Sequence, residues 1–221
     1  MNIAANILKH SLKNVYFLAG TALAGKTTMT TMLAKKHGLT PYNEDWNGAS
    51  FTKFKSICDE KYQPHSTRQS KTTDWEGHFG RTVEEFLSDR AGRNTNDEYI
   101  EFAIIDLIKL SQANKIITDL CIPISMLTEI SDYARVACLL ASPELVNCEN
   151  YGKRDSHKAF LECLLSLKEP EKKIAVQDEL FRIGVHETMD EVRKSGFFSI
   201  VRTKDSTVEN TLKLLEDHFR L

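Results

Sequence analysis

Residues 15–28 carry an apolar run, Val15-Tyr16-Phe17-Leu18-Ala19, straight into Gly20-x4-Gly25-Lys26-Thr27. A strand that ends in such a loop and continues as a helix leaves the chain few folds to choose from. Gly20 and Gly25 let the backbone turn tightly and bring its N–H groups towards a phosphate chain. Lys26 can reach terminal phosphates, and the Thr27 hydroxyl can bind magnesium. The helix that follows points its positive end at the same anions. The loop residues Gly20, Ala22, Ala24, Gly25, Lys26, Thr27 and Thr28 are therefore the candidate nucleotide-binding set.

Beyond the loop, hydrophobic periodicity predicts alternating helices and strands. A short amphipathic helix is expected over 3–12, the first strand over 14–19 and a helix ending at Gly38. Residues 39–45 read as a second strand, whose Pro41 suits a sheet edge because it has no N–H to donate. Residues 46–114 show no strand pattern. Within them Ser50 is a helix cap, 63–73 a polar loop, Thr82-x-x-Glu85 a capping box, and Asn96 or Asp97 the start of a helix through Ile108. Strands follow at 115–121 and 135–141, with a helix over 125–133 between them. Ser142-Pro143-Glu144 has the composition of a helix start. Helices are expected over 155–168 and 171–195, the second with a break at Gly184. A fifth strand over 197–203 and a closing helix opened by Ser206-x-x-Glu209 complete the chain. Five strands alternating with helices imply a parallel sheet covered on both faces, with ligands at the carboxyl ends of its strands.

Several side chains fall at those ends. Asp119 closes Lys115-Ile116-Ile117-Thr118, where a carboxylate would hold magnesium opposite Thr27. Glu44 and Asp45 close the second strand; one of them, with Asp45 preferred, would orient an acceptor hydroxyl and take its proton. Arg81, Arg90 and Arg93 lie in the strandless segment and could clamp an anionic acceptor. Trp75, His78 and Phe79 could wall a ring pocket, although core packing is the commoner use of such residues. Lys153 and Arg154 precede a helix cap; Arg154 closing over the nucleotide would stabilise the transferring phosphoryl group.

Composition removes other classes. A net charge of −2 offers no broad positive field for nucleic acid or an anionic membrane surface. No apolar run approaches a membrane span, and the N-terminal one is too short for a secretory signal. Five cysteines without a C-x-x-C pair indicate neither a disulfide framework nor a zinc site, so a reducing, cytoplasmic setting is expected. The seven histidines show no metal-ligand spacing and receive no role. Composition leaves open whether the chain is a monomer or a homodimer.

The loop at 20–28, Glu44-Asp45, Thr118-Asp119 and Lys153-Arg154 together resemble the nucleoside and nucleotide kinase branch of the P-loop proteins, which includes shikimate, gluconate and antibiotic kinases. That resemblance implies a single three-layer α/β P-loop domain with strand order 2-3-1-4-5. It also implies a helical acceptor-binding insertion at 46–114 and a lid at about 150–170. The expected function is an ATP- and magnesium-dependent transfer of the γ-phosphoryl group to a small acceptor. Three departures stand out: Asp119 is followed by Leu120 where nucleoside monophosphate kinases carry glycine, the lid offers one clear arginine, and Asp74-Trp75-Glu76-Gly77-His78-Phe79 in the acceptor segment matches no subfamily signature. The alternative is a nucleotide-hydrolysing switch or a binding module without an acceptor. For that reading Thr203-Lys204-Asp205 places its aspartate one position early, and Asp74-x-x-Gly77 follows a polar loop where a buried strand is required.

Overall fold

A computed structural model describes residues 4–43, 74–91, 97–153 and 157–221, together with Lys53 and Ser56. Five strands form one parallel sheet: β1 (Val15–Gly20), β2 (Thr40–Tyr42), β3 (Ile116–Thr118), β4 (Val136–Ala141) and β5 (Phe198–Arg202). Their order is β2-β3-β1-β4-β5, so β1 is central. Every pairing is parallel, which sends all five carboxyl ends to one edge. Pro41 lies in the edge strand β2, as its missing N–H requires.

Strand alternation builds two cores. Val15, Phe17 and Ala19 of β1, with Val136, Cys138 and Leu140 of β4, face one side. There they meet α1 (Ala5–Ser11), α5 (Asp97–Ser111) and α6 (Ile124–Ile130), with Tyr99, Ala103 and Leu107 of α5 buried. Tyr16 and Leu18, with Ala137, Leu139 and Ala141, face the other side. That face packs on α2 (Lys26–His37) and α10 (Val208–Phe219) through Met29, Leu33, Leu215 and Phe219. Helices on both faces explain why β1 and β4 are apolar at nearly every position. Glu216 of α10 ties the two helices together by accepting from Lys36 at 2.7 Å and meeting His37 at 2.6 Å.

A third, smaller cluster joins α3 (Trp75–Phe79) to α7 (Cys148–Gly152), α8 (Lys158–Ser166) and α9 (Pro170–Ser195). Phe79, Cys148 and Leu164 are its buried centre, and Phe79 meets the Phe160 ring at 5.9 Å. Trp75 stacks on Phe79 from outside, so Phe79 packs in a core. Beside the cluster, Glu76 pairs with the buried Lys173 at 2.9 Å and accepts from the Lys168 amide at 2.6 Å. The Lys168 amide first, then the Lys173 ammonium, hold the Glu76 carboxyl below its ordinary value. Lys173 also donates to the Lys168 carbonyl. Lys53 pairs with the nearly buried Asp106 of α5 at 2.6 Å.

Three local expectations need correction. Ser142-Pro143-Glu144 opens only a single 3-10 turn, Pro143–Leu145. The Ser142 hydroxyl is engaged by the Glu144 carboxylate and its amide donates to the Arg202 carbonyl, so it does not cap a helix. Helix α7 starts instead at Asn147, whose side chain accepts from the Asn150 amide. Helix α9 runs unbroken through Gly184, because its apolar face buries Val185 and Val192 on either core. Finally, Thr207 caps α10 while the Ser206 hydroxyl accepts from the Thr203 amide. The capping box at Thr82 and Glu85 is present at the start of α4 (Val83–Ala91), with reciprocal bonds of 2.8 and 3.2 Å. The expectations for Ser50 and 63–73 lie outside the described residues.

Candidate functional site

At the carboxyl edge the chain leaves β1 through a loop with three positive φ angles: Gly20 at 119°, Leu23 at 59° and Gly25 at 83°. Leu23 is the costly one, since a side chain in the left-handed region costs about 1 kcal/mol. Neighbouring strands hold this shape. The Thr21 amide donates to the Leu139 carbonyl at 3.0 Å, and the Thr21 hydroxyl accepts from the Ala141 amide at 2.7 Å. On the far side of the loop, the Arg202 guanidinium donates to the Ala24 carbonyl at 2.8 Å.

Helix α2 then opens at Gly25 without a side-chain cap and without an acid in its first turn. Its first amides therefore have no partner within the helix and point, with the positive end of its dipole, at the edge of the sheet. Lys26 folds back over the loop and donates to the Gly20 carbonyl at 3.1 Å and the Thr21 carbonyl at 2.8 Å. This is a resting position for an ammonium that can exchange two carbonyls for stronger anionic acceptors.

A cleft of about 330 Å³ lies over the loop. It is lined by Gly20, Ala22, Ala24, Gly25, Lys26 and Thr27 together with Asp119. Asp119 follows β3 directly and is 3% exposed. The Thr118 hydroxyl accepts from the Leu120 amide, which bends the chain just after it. The structure thus brings Thr27 and Asp119, 92 positions apart in sequence, to one space. One hydroxyl and one carboxylate suit magnesium, which keeps several waters and takes phosphate oxygens for the rest. Among the described residues no group of three or more His, Cys, Asp or Glu could hold a metal by itself.

Tyr151 and His157 also line the cleft, with ring centroids 4.1 Å apart. No sequence pattern marked them. Tyr151 is placed by α7, whose Cys148 amide donates to Asp178 of α9 at 2.6 Å, and by packing against Phe160 and Phe181, while His157 stands at the N-cap of α8. Cys121 completes the wall.

The remaining predicted residues are elsewhere. Thr28 stands in the first turn of α2, outside the cleft lining. Arg81 donates to the His78 carbonyl and lies 3.9 Å over the Phe86 ring. It lines a second cleft, with Lys172 and Lys173 of α9, rather than the one over the loop. Lys153 pairs with Glu149 on an exposed surface. Glu44, Asp45, Arg93 and Arg154 lie outside the described residues, as does the side chain of Arg90.

No protein-family model matches the sequence, and no curated protein matches it. Among solved structures the chain is similar to shikimate kinase from Bacteroides thetaiotaomicron, at 14% identity over 94% of this chain and 98% of that one, with a TM-score of 0.46. It is similar to deoxyadenosine kinase from M. mycoides with bound dATP, at 13% identity over 94% and 100%, TM-score 0.44. A third is shikimate kinase from Acinetobacter baumannii in complex with shikimate, at 16% identity over 91% and 90%, TM-score 0.43. The five-stranded parallel sheet in the order 2-3-1-4-5 rests on this chain's own strand pairing.

Proposed function

We propose that the chain is an ATP- and magnesium-dependent kinase of a small molecule, transferring the γ-phosphoryl group to a hydroxyl or phosphate acceptor. The observation that carries this reading is the single cleft shared by the loop backbone, Lys26, Thr27 and Asp119. In it the amides opening α2 bind the phosphate chain, and Lys26 leaves the Gly20 and Thr21 carbonyls to neutralise charge on the phosphoryl group in flight. Thr27 and Asp119 hold the magnesium, which when bound neutralises phosphate charge and orients the chain. Asp45 is the proposed acceptor-orienting base and Arg154 the closing cation, with Glu44, Arg81, Arg90 and Arg93 as acceptor-side candidates. Residues 46–114 are the proposed acceptor segment and about 150–170 the lid.

Acceptor dependence tests the reaction. ADP release from ATP is expected to rise at least a hundredfold with the right member of a panel of nucleosides, nucleoside monophosphates and hydroxy acids. Slow hydrolysis that ignores every acceptor would favour a switch or binding module instead. Binding has its own test at Cys121. Burial pushes the Cys138 thiol up to about 12 and raises Cys148 as well, while Cys121 is exposed. Mass spectrometry after iodoacetamide at pH 8 should find Cys121 modified before those two, and ATP with magnesium should slow it severalfold. Labelling of Cys121 at the same rate with and without nucleotide would count against this cleft as the binding site.

A further inference from the structure

Arg202 closes β5, and its side chain runs under the loop. Its Nη1 donates to the Ala24 carbonyl at 2.8 Å and lies 2.3 Å from the point that a Cβ on Gly25 would occupy. The guanidinium therefore presses against the very turn from which α2 starts. Its Nε is buried and has no hydrogen-bond partner among the described residues. None of the ion pairs among those residues involves it. The main chain fixes where it starts: Arg202 sits opposite Ala141 in the sheet, and its carbonyl accepts from the Ser142 amide at 2.8 Å. Ala141 is the residue whose amide holds Thr21, so β4 and β5 grip the two ends of the loop.

A peg for the Ala24 carbonyl would need only a neutral donor. An arginine brings a permanent charge as well. That charge stands beside Gly25 at the positive end of α2, whose first turn carries no acid, and no ion pair among the described residues engages it. A guanidinium at the positive end of a helix is unfavourable by itself, and a polyphosphate bound at the loop offsets that positive charge. The differential interaction favours the anion-bound state.

We infer that Arg202 is a positioning residue for the phosphate chain: it sets the Gly25 turn through Ala24 and adds a fixed charge that strengthens polyphosphate binding whatever the base. This rests on the nucleotide reading above. The closing experiment is calorimetric titration of wild type, Arg202→Gln and Arg202→Lys with magnesium-ATP and with inorganic tripolyphosphate, alongside ligand-free melting temperatures. Glutamine keeps a donor without the charge; lysine keeps the charge without the planar fork. Arg202→Gln should bind both ligands about tenfold more weakly, with a shallower salt dependence, while its ligand-free melting temperature stays level or rises. Arg202→Lys should retain most of the affinity. Equal affinities for wild type and Arg202→Gln would overturn the inference. So would a lower melting temperature with unchanged affinity, the mark of a structural peg, or a loss confined to ATP, the mark of a base contact. A wild type that binds neither ligand would sink the nucleotide reading itself and this inference with it.

Discussion

Gly20→Ala is expected to cost about 3–5 kcal/mol of stability, a size reserved for a few mechanisms such as backbone strain. A Cβ at Gly20 would stand 1.9 Å from the Leu139 carbonyl oxygen and 2.7 Å from its carbon. Both are backbone atoms, locked by the β1–β4 pairing in which Gly20 faces Leu139. The same carbonyl accepts from the Thr21 amide, so moving it away breaks the bond that shapes the loop. The φ of 119° adds strain for any L side chain. Gly38→Ala is the control, because Gly38 has a φ of 64° at the end of α2 but nothing within 4 Å of its Cβ position. It should cost only about 1 kcal/mol, the ordinary penalty of the left-handed region. Denaturant midpoints of the two variants separate the causes. Equal losses would show that the approach of β4 to the loop is not what demands glycine at position 20.

What the sequence disclosed depended on how local its physics was. The loop was legible because its glycines, lysine and threonine act through neighbouring amides within eight positions. The capping box at Thr82 and Glu85 was legible for the same reason. Strand order was not a local property; it came through the resemblance, and hydrogen bonding between β1 and both β3 and β4 places β1 at the centre. Ser142-Pro143-Glu144 misled because a good local helix start lost to a tertiary bond, the Ser142 amide extending the β4–β5 ladder. Gly184 misled the other way, since burial of the α9 face outweighs the roughly 1 kcal/mol that glycine costs a helix.

The residues that were missed share one property: their partners lie far along the chain. Arg202 meets Ala24 across 178 positions and Thr21 meets Ala141 across 120. Nothing in the spacing around either residue announces the contact. Tyr151 reaches the cleft from α7, which is anchored on Asp178 of α9, and His157 from the start of α8. A histidine without metal spacing gives no signal until the fold places it.

Lys26→Met is expected to lower phosphoryl transfer about a thousandfold, some 4 kcal/mol of barrier, under the proposed kinase activity. The reason lies in what Lys26 does before and during the reaction. At rest its ammonium is shared between two neutral carbonyls, Gly20 and Thr21. Those bonds are modest, because solvated partners are exchanged for similar ones. In the transition state the same group would face spread negative charge, a far stronger partner. The gain is therefore made in the transition state and little of it in the ground state, so the rate should fall much more than ATP affinity. Methionine keeps the length and apolar stem of the side chain, so the melting temperature should move by only a few degrees. Single-turnover rates at saturating ATP, set beside the calorimetric ATP affinity, measure the split directly. A Lys26→Met variant that transferred phosphate within tenfold of wild type would remove Lys26 as the charge-neutralising group. Charge neutralisation in the proposed reaction would then rest on the magnesium held by Thr27 and Asp119 and on Arg154 as the closing cation.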